Sequence, residues 1–202
     1  VGGGPGGLKC AAVAAARGHD VTLYERDSRL GGQVRLAEKL PGRSEFGGII
    51  EHLAREAERA GVKILRGTEV TPSLVQKERP DAVVLATGAK LRDLDLSGGT
   101  EGAHVVDAWQ VLNGQANVGG SVVVADWRCD WVGMGLAEML AKDGRKVRLC
   151  VNGYMPGETI QQYVRDAWLA KLHKLGIEII PMARLAGADS ESVDRKSTRL
   201  NS

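Results

Sequence analysis

The chain opens with Val1-Gly2-Gly3-Gly4-Pro5-Gly6-Gly7. Gly2, Gly4 and Gly7 fill the three glycine positions of G-x-G-x-x-G. A dinucleotide's pyrophosphate approaches a helix N-terminus more closely than a Cβ allows, which is why that spacing uses glycine. The first glycine makes the tight turn, the second admits the phosphates, and the third lets helix and strand pack closely. Pro5 stands near the helix start, where its missing N–H is no loss, and Gly6 completes the turn.

The residues after the turn suit the motif. Leu8 to Arg17 is alanine-rich and reads as a helix, with Gly18 as its stop. Asp20 to Tyr24 reads as the next strand, and Glu25 closes it eighteen positions after Gly7. A carboxylate there accepts hydrogen bonds from both hydroxyls of an adenosine ribose and repels a 2′-phosphate, favouring FAD, ADP or NAD over NADP. A glycine turn and a strand-end glutamate with no ligand would share the spacing. The helix and strand in sequence favour a dinucleotide site.

Beyond Glu25, the segment Arg26-Asp27-Ser28-Arg29-Leu30-Gly31-Gly32-Gln33 carries adjacent glycines, as a loop does where backbone passes along a cofactor. From Ser44 or Glu45 an amphipathic helix sets Phe46, Ile49, Ile50, Leu53, Ala54 and Ala57 on one face, and Gly61 stops it. Val62–Leu65 and Glu69–Thr71 are short strand candidates, with Pro72 breaking the second. Asp81 to Ala89 is expected as a buried strand leaving through Ala86-Thr87-Gly88. Residues 90–118 connect, with a loop at Gly98–Gly102 and a short helix over Asp107–Leu112.

Gly119-Gly120 then restarts the pattern: a buried strand through Ala125, a helix through Leu136–Ala141, Gly144, and a strand from Lys146 to Val151. Matching Gly144 to Gly18 places Arg128 in the first glycine slot, Asp130 in the second and Gly133 in the third, with Val151 where Glu25 stood. A carboxylate in the second slot adds repulsion to the steric clash with a phosphate. Val151 removes the ribose acceptor. Ordinary NAD(P)H binding is expected to be lost here, unless Asp130 turns away and the nucleotide takes a shifted pose.

Glu25, Leu30-Gly31-Gly32-Gln33 and Ala86-Thr87-Gly88, in that order, resemble the FAD-binding module of flavoproteins with two dinucleotide-binding domains. Ala125-Asp126, Trp131, Gly133-Met134-Gly135-Leu136-Ala137-Glu138, Trp168 and Leu172-His173-Lys174-Leu175 are similar to the C-terminal half of trimethylamine and dimethylamine dehydrogenases. That group also takes in 2,4-dienoyl-CoA reductase and other old-yellow-enzyme-type NADH:flavin oxidoreductases. The resemblance covers residues 1 to 193. It implies an α/β chain of two Rossmann-like modules (the FAD/NAD(P)-binding fold), the second inserted in the first and the whole truncated at both ends. It further implies an N-terminal barrel, absent here, carrying FMN and an iron–sulfur cluster.

The resemblance also implies roles for residues. Gly2, Gly4, Pro5, Gly6 and Gly7 cradle the pyrophosphate, Glu25 with Arg26 holds the ribose, Gly32 and Gln33 border the cofactor, and Thr87 and Gly88 close over it. No catalytic acid, base or nucleophile stands out. The cofactor is FAD, with ADP as the alternative. NAD(P)H or an electron-transfer flavoprotein is the expected redox partner. A redox relay, an ADP-holding structural module of an amine dehydrogenase and an FAD monooxygenase fragment are the three functions considered. Trp127, Trp131 and Trp168 are expected to pack, and His173 to flank its helix.

Composition sets outer limits. A chain of 202 residues with 43% hydrophobic and 4% aromatic content packs largely with small aliphatics, as closely layered α/β proteins do. Cys10, Cys129 and Cys150 form no C-x-x-C or C-x-x-x-x-C pair, and the four histidines show no metal-ligand spacing. No apolar run nears the ~18 residues of a membrane span and no signal peptide is visible, so a cytoplasmic protein is expected. Asp194-Arg195-Lys196-Ser197-Thr198-Arg199-Leu200-Asn201-Ser202 reads as a translated sequencing adapter, expected to be structureless. Its three cations and one anion account for the whole net charge of +2, so the basic balance gives no case for nucleic acid. The expected domains are 1–118, 119–193 and the tail 194–202.

Overall fold

The computed structural model of the protein describes residues 1–92, 99–189 and 193–197, and shows an α/β chain with parallel sheets. Two compact units divide it, Val1–Leu91 and Arg92–Ser202, so the connecting stretch before residue 119 groups with the second unit. Gly98 of the expected loop, and residues 198–202 of the tail, lie outside the described residues.

In the first unit, α1 (Pro5–Ala16) leads to β1 (Thr22–Tyr24), α2 (Val34–Ala37), α3 (Phe46–Arg59), β2 (Lys63–Leu65) and α4 (Pro72–Glu78). β1 and β2 pair in parallel, Thr22 opposite Lys63 and Tyr24 opposite Leu65. Leu8, Ala11 and Ala12 of α1 pack with Ile50 and Ala57 of α3 and with Leu23, Leu30 and Val62. The alanines allow the two helices to approach closely. Leu8 at 0% and Ile50 at 1% exposure each contribute about 1.5–3 kcal/mol of burial free energy. Ile49, expected on the buried face, is exposed, because one residue along a helix rotates about 100° away from the Ile50 stripe.

Two expectations are corrected in this unit. Glu69–Thr71 is not a strand. Thr71 caps α4 by accepting from the Leu74 N–H, and Pro72 starts the helix where its missing N–H costs nothing. The Asp81–Ala89 run is neither buried nor a regular strand: Val83, Val84 and Leu85 are exposed by 44, 55 and 74%. Among the described residues its ladder contacts go to Val1, from the Ala86 N–H to the Val1 carbonyl and from the Val1 ammonium to the Val84 carbonyl, both 2.8 Å. Pairing with one residue does not build a strand.

The second unit begins with α5 (Ala108–Leu112), closed by a reciprocal Asp107–Gln110 capping box. Next come β3 (Ser121–Asp126), α6 (Trp131–Lys142), β4 (Lys146–Val151), α7 (Gln162–Lys174) and β5 (Glu178–Ile180). These strands form one parallel sheet in the order β3-β4-β5. A hairpin of β6 (Ala183–Ala188) and β7 (Val193–Ser197) completes the unit. The start of the tail, expected to be structureless, therefore supplies the antiparallel partner of β6. An edge strand with unpaired N–H and C=O groups takes up adjoining chain readily.

Glu138, fully buried on α6, ties that helix to α7. Its Oε2 accepts from the Trp168 indole N–H on α7 at 2.7 Å, and its Oε1 meets Lys142 at 2.6 Å and Lys171 at 3.5 Å. Burial pushes this carboxyl up, but hydrogen bonds from Lys142 and Trp168 and the Lys171 charge outweigh it, leaving it below its ordinary range. Trp168 is core, at 8% exposure, and His173 is an exposed flank residue of α7.

Candidate functional site

In the first unit the glycine turn is clamped from three sides. Gly2, at φ +105°, donates to the Tyr24 carbonyl, and a Cβ on it would land on the Ala86 carbonyl oxygen. A Cβ on Gly7 would land on the Gly2 carbonyl. Both positions thus require glycine for the fold itself. Gly31 donates to the Gly3 carbonyl at 2.9 Å, and the Gln33 amide reaches the Ala89 carbonyl at 3.0 Å. Gly32 stands 3.6 Å from the Gly4 Cα, and Gly88 faces the Gln33 amide nitrogen at 3.7 Å, each measured from a built Cβ. Three segments far apart in sequence are brought together at the start of α1.

Gly4 and Gly6 differ from Gly2, Gly3 and Gly7: beyond their chain neighbours and the helix's own turn, no atom lies within 4 Å of a Cβ built on either, and the Gly4 φ of −76° suits any residue. Neither backbone conformation nor protein packing calls for glycine there. Gly4 is the N-cap of α1, and no side chain caps that helix. An uncapped helix N-terminus suits an anion.

Glu25 closes the seat. It is buried, with Oε2 accepting from the Gly3 N–H at 2.6 Å and Oε1 from the Asp27 N–H at 2.9 Å. Each carboxylate oxygen keeps a further lone pair for a hydroxyl. Arg26 does not join this cluster: its side chain is 71% exposed and lies 3.9 Å from Asp27. Thr87 is exposed, its Cα 3.3 Å from a Cβ built on Gly2. Leu30, legible in sequence only as the first residue of the Leu30-Gly31-Gly32-Gln33 stretch, is buried and fills the space where Gly3 would carry a Cβ.

The second unit repeats the geometry with different chemistry. α6 starts at Trp131 with Asp130 as N-cap, as α1 starts at Pro5 with Gly4. Aligned on these helix starts, Arg128, Asp130 and Gly133 stand in the positions of Gly2, Gly4 and Gly7, as the spacing predicts, and Val151 is fully buried in the place of Glu25. Asp130 Oδ1 accepts from the Val132 N–H at 2.9 Å and Oδ2 from Arg128 Nε at 2.8 Å. Sequence reading passed over Asp126 as a site. Its Oδ1 accepts from the N–H groups of Arg128 (3.0 Å) and Cys129 (2.9 Å), while Oδ2 is buried without a hydrogen bond. Burial, and then the Asp130 charge, push the Asp126 carboxyl above its usual range, against the pull of those N–H groups.

Other parts of the unit cover the same turn. Thr159, in the loop after β4, donates its N–H (3.3 Å) and hydroxyl (3.1 Å) to the Cys129 carbonyl. The Arg184 guanidinium of β6 lies 5.5 Å from the Trp127 ring centre. Cys10, Cys129 and Cys150 form no disulfide, and no group of three or more His, Cys, Asp or Glu positioned for a metal occurs among the described residues. Among those residues no helix is long and apolar enough to cross a membrane.

Residues 1–201 match the family described as pyridine nucleotide-disulphide oxidoreductase. The N,N-dimethylglycine/sarcosine dehydrogenase of Chromohalobacter salexigens is 36% identical over 165 residues, which is 79% of this chain and 24% of that protein. A probable N-methylproline demethylase of Rhizobium meliloti is 39% identical over 149 residues, 74% of this chain and 22% of its own. Histamine dehydrogenase from Rhizobium sp. 4-9 superposes with a TM-score of 0.87 at 24% identity, over 100% of this chain and 33% of that one. The chain spans a third or less of the length of each. These similarities bear out the amine-dehydrogenase resemblance and the FAD/NAD(P)-binding fold.

Proposed function

Because the chain belongs to the pyridine nucleotide-disulphide oxidoreductase family, we propose that its first unit holds FAD and serves as the nucleotide-binding part of a flavin-dependent oxidoreductase. The observation that carries this is the uncapped start of α1, where Gly4 leaves open space for a ligand beside the buried Glu25 carboxylate. The residues fit an adenine dinucleotide. The α1 N–H groups and Gly2, Gly4, Pro5, Gly6 and Gly7 take the pyrophosphate, and the free lone pairs of Glu25 take the ribose hydroxyls. Gly32 and Gln33 border the cofactor, Thr87 and Gly88 lie over it, and Arg26 sets positive charge at the rim. When bound, FAD supplies one- and two-electron transfer, and the protein groups fix its position and potential.

In this proposal the substrate chemistry belongs to FMN and an iron–sulfur cluster on a barrel outside the present residues, with an electron-transfer flavoprotein or NAD(P)H as redox partner. The named relatives favour dehydrogenase or demethylase chemistry over a monooxygenase. A cytoplasmic setting belongs to the same proposal.

A second reading, ADP as a structural ligand, is favoured by one observation: everything that Gly4, α1 and Glu25 engage belongs to the ADP half of FAD. Titration of the chain with FAD and with ADP separates the two. Tighter binding of FAD supports the flavin reading. Equal affinity means that the flavin ring contributes nothing and supports ADP. Failure of both to bind overturns the nucleotide site.

A further inference from the structure

A pocket of about 210 Å³ opens on the first unit between the loop ahead of Gly31, the middle of α3 and the residue that follows β2. Leu30 and Ile50, 4 and 1% exposed, line it together with Ala54 and give it a fixed apolar base. Its charged lining is Arg29, Arg35 and Arg66 against one carboxylate, Glu51. Arg35 is held in place, since its Nε donates to the Leu30 carbonyl at 3.0 Å and its Nη1 meets Glu38 at 3.3 Å. The exposed Arg29 and Arg66 side chains make no hydrogen bond or ion pair among the described residues. Acids stand nearby but are drawn elsewhere: Asp27 lies 3.9 Å from Arg26, and Glu51 3.9 Å from Arg55.

We propose that this pocket binds a small phosphate monoester, its phosphate on Arg29 and Arg66 and its apolar body on Leu30, Ile50 and Ala54. With Arg35 facing Glu38 and Glu51 facing Arg55, two cationic charges are left over. A phosphate monoester carries about −1.5 to −2 at neutral pH, which matches them. Guanidinium forks fit phosphate oxygens two at a time, where a single carboxylate would satisfy one fork only. The volume lies below the roughly 300 Å³ at which sites for drug-sized ligands begin, so the body is small and a dinucleotide does not fit. Arginines spread over a solvated face would lack both the enclosing space and the apolar base. Gly4, Glu25, Gln33 and Gly88 do not line this pocket, and the proposal stands whatever nucleotide the first unit takes.

The test uses the whole chain and phenyl phosphate, titrated by calorimetry, with benzoate as the singly charged and phenol as the uncharged counterpart. Wild type should bind phenyl phosphate saturably, benzoate at least about tenfold more weakly, and phenol not measurably. Arg29→Gln and Arg66→Gln should each weaken phenyl phosphate about tenfold or more without moving the melting temperature, because neither side chain has a partner to lose. Ala54→Phe fills the pocket without changing charge and should abolish binding in a chain whose circular dichroism is unchanged. Lys63→Gln removes an exposed cation of β2 outside the pocket and should bind as wild type. Absence of saturable binding by wild type overturns the proposal, as does wild-type affinity in both arginine variants. An equal loss in Lys63→Gln overturns it too, since attraction would then be to net charge. Displacement of phenyl phosphate by ADP, with Arg66→Gln binding as wild type, places the ligand in the nucleotide site and overturns it likewise.

Discussion

Replacing Gly4 by alanine separates what the fold needs from what a ligand needs. The φ of −76° accommodates alanine, and no protein atom lies within 4 Å of the new methyl. Loss of unfolded-state freedom stabilises by about 0.4–1 kcal/mol. Alanine is a poorer N-cap than glycine by a similar amount, so the melting temperature should barely move. A phosphate oxygen in van der Waals contact with Gly4 would be displaced by the methyl, and one charge-assisted bond to an α1 N–H would be lost. That is worth about 1.5–3 kcal/mol, or a roughly 10- to 100-fold weaker Kd. Gly7→Ala reverses the pattern: its methyl meets the Gly2 carbonyl, and overpacking costs about 1–3 kcal/mol of stability. Flavin fluorescence quenching gives the affinities and circular dichroism the melts. Unchanged FAD and ADP affinity in Gly4→Ala, with the fold intact, would refute the assignment of this seat.

Other perturbations reach other parts of the chain. Glu25→Gln should keep the acceptor for Gly3 but weaken the ribose contact, lowering ADP affinity about tenfold by calorimetry, the loss of one bond to a charged group; wild-type affinity would remove Glu25 from the site. Glu138→Ala strands the Trp168 indole N–H, while Lys142 and Lys171, each about half exposed, turn to water. The expected loss is therefore about 2–4 kcal/mol in urea, below that of a wholly enclosed pair. The depressed Glu138 carboxyl contributes stability that is present above its ordinary range and lost as pH falls through its folded value. Asp126, shifted upward, works in the opposite direction: the native state gains from it as pH falls through its raised value. Glu138→Gln should flatten the acid limb of the second unit's unfolding, read by tryptophan emission; an unchanged slope would assign that limb to other groups. Deleting residues 194–202 should leave FAD affinity unchanged, because the seat lies within residues 1–89, and loss of binding would give the tail a role there.

Much of this was legible because glycine spacing and helix starts are local properties. Gly2, Gly4, Gly7 and Gly133 could be assigned from spacing, and α1, α3, α6 and β4 from pattern. Their meaning was not. Gly2 and Gly4 look alike in sequence, yet a Cβ on one would meet Ala86, more than eighty residues away, while a Cβ on the other would stand in open space. Arg26, adjacent to Glu25, turns outward to Asp27 because the chain bends there. The Asp81–Ala89 run is apolar enough for a buried strand, but burial depends on what lies alongside, which no local pattern records. Asp126 was hidden as well, since a strand-end aspartate acquires its role only when the next turn folds back over it.

That same run has a practical side. Among the described residues, the backbone around Val83–Leu85 is bonded on one flank, and its apolar side chains face water. Such an edge recruits whatever strand it meets first, including another copy of itself. Handled in isolation, this chain should turn cloudy with concentration sooner than its charge alone would suggest, and a lysine in place of Leu85, the most exposed of the three, is the simplest way to keep it clear.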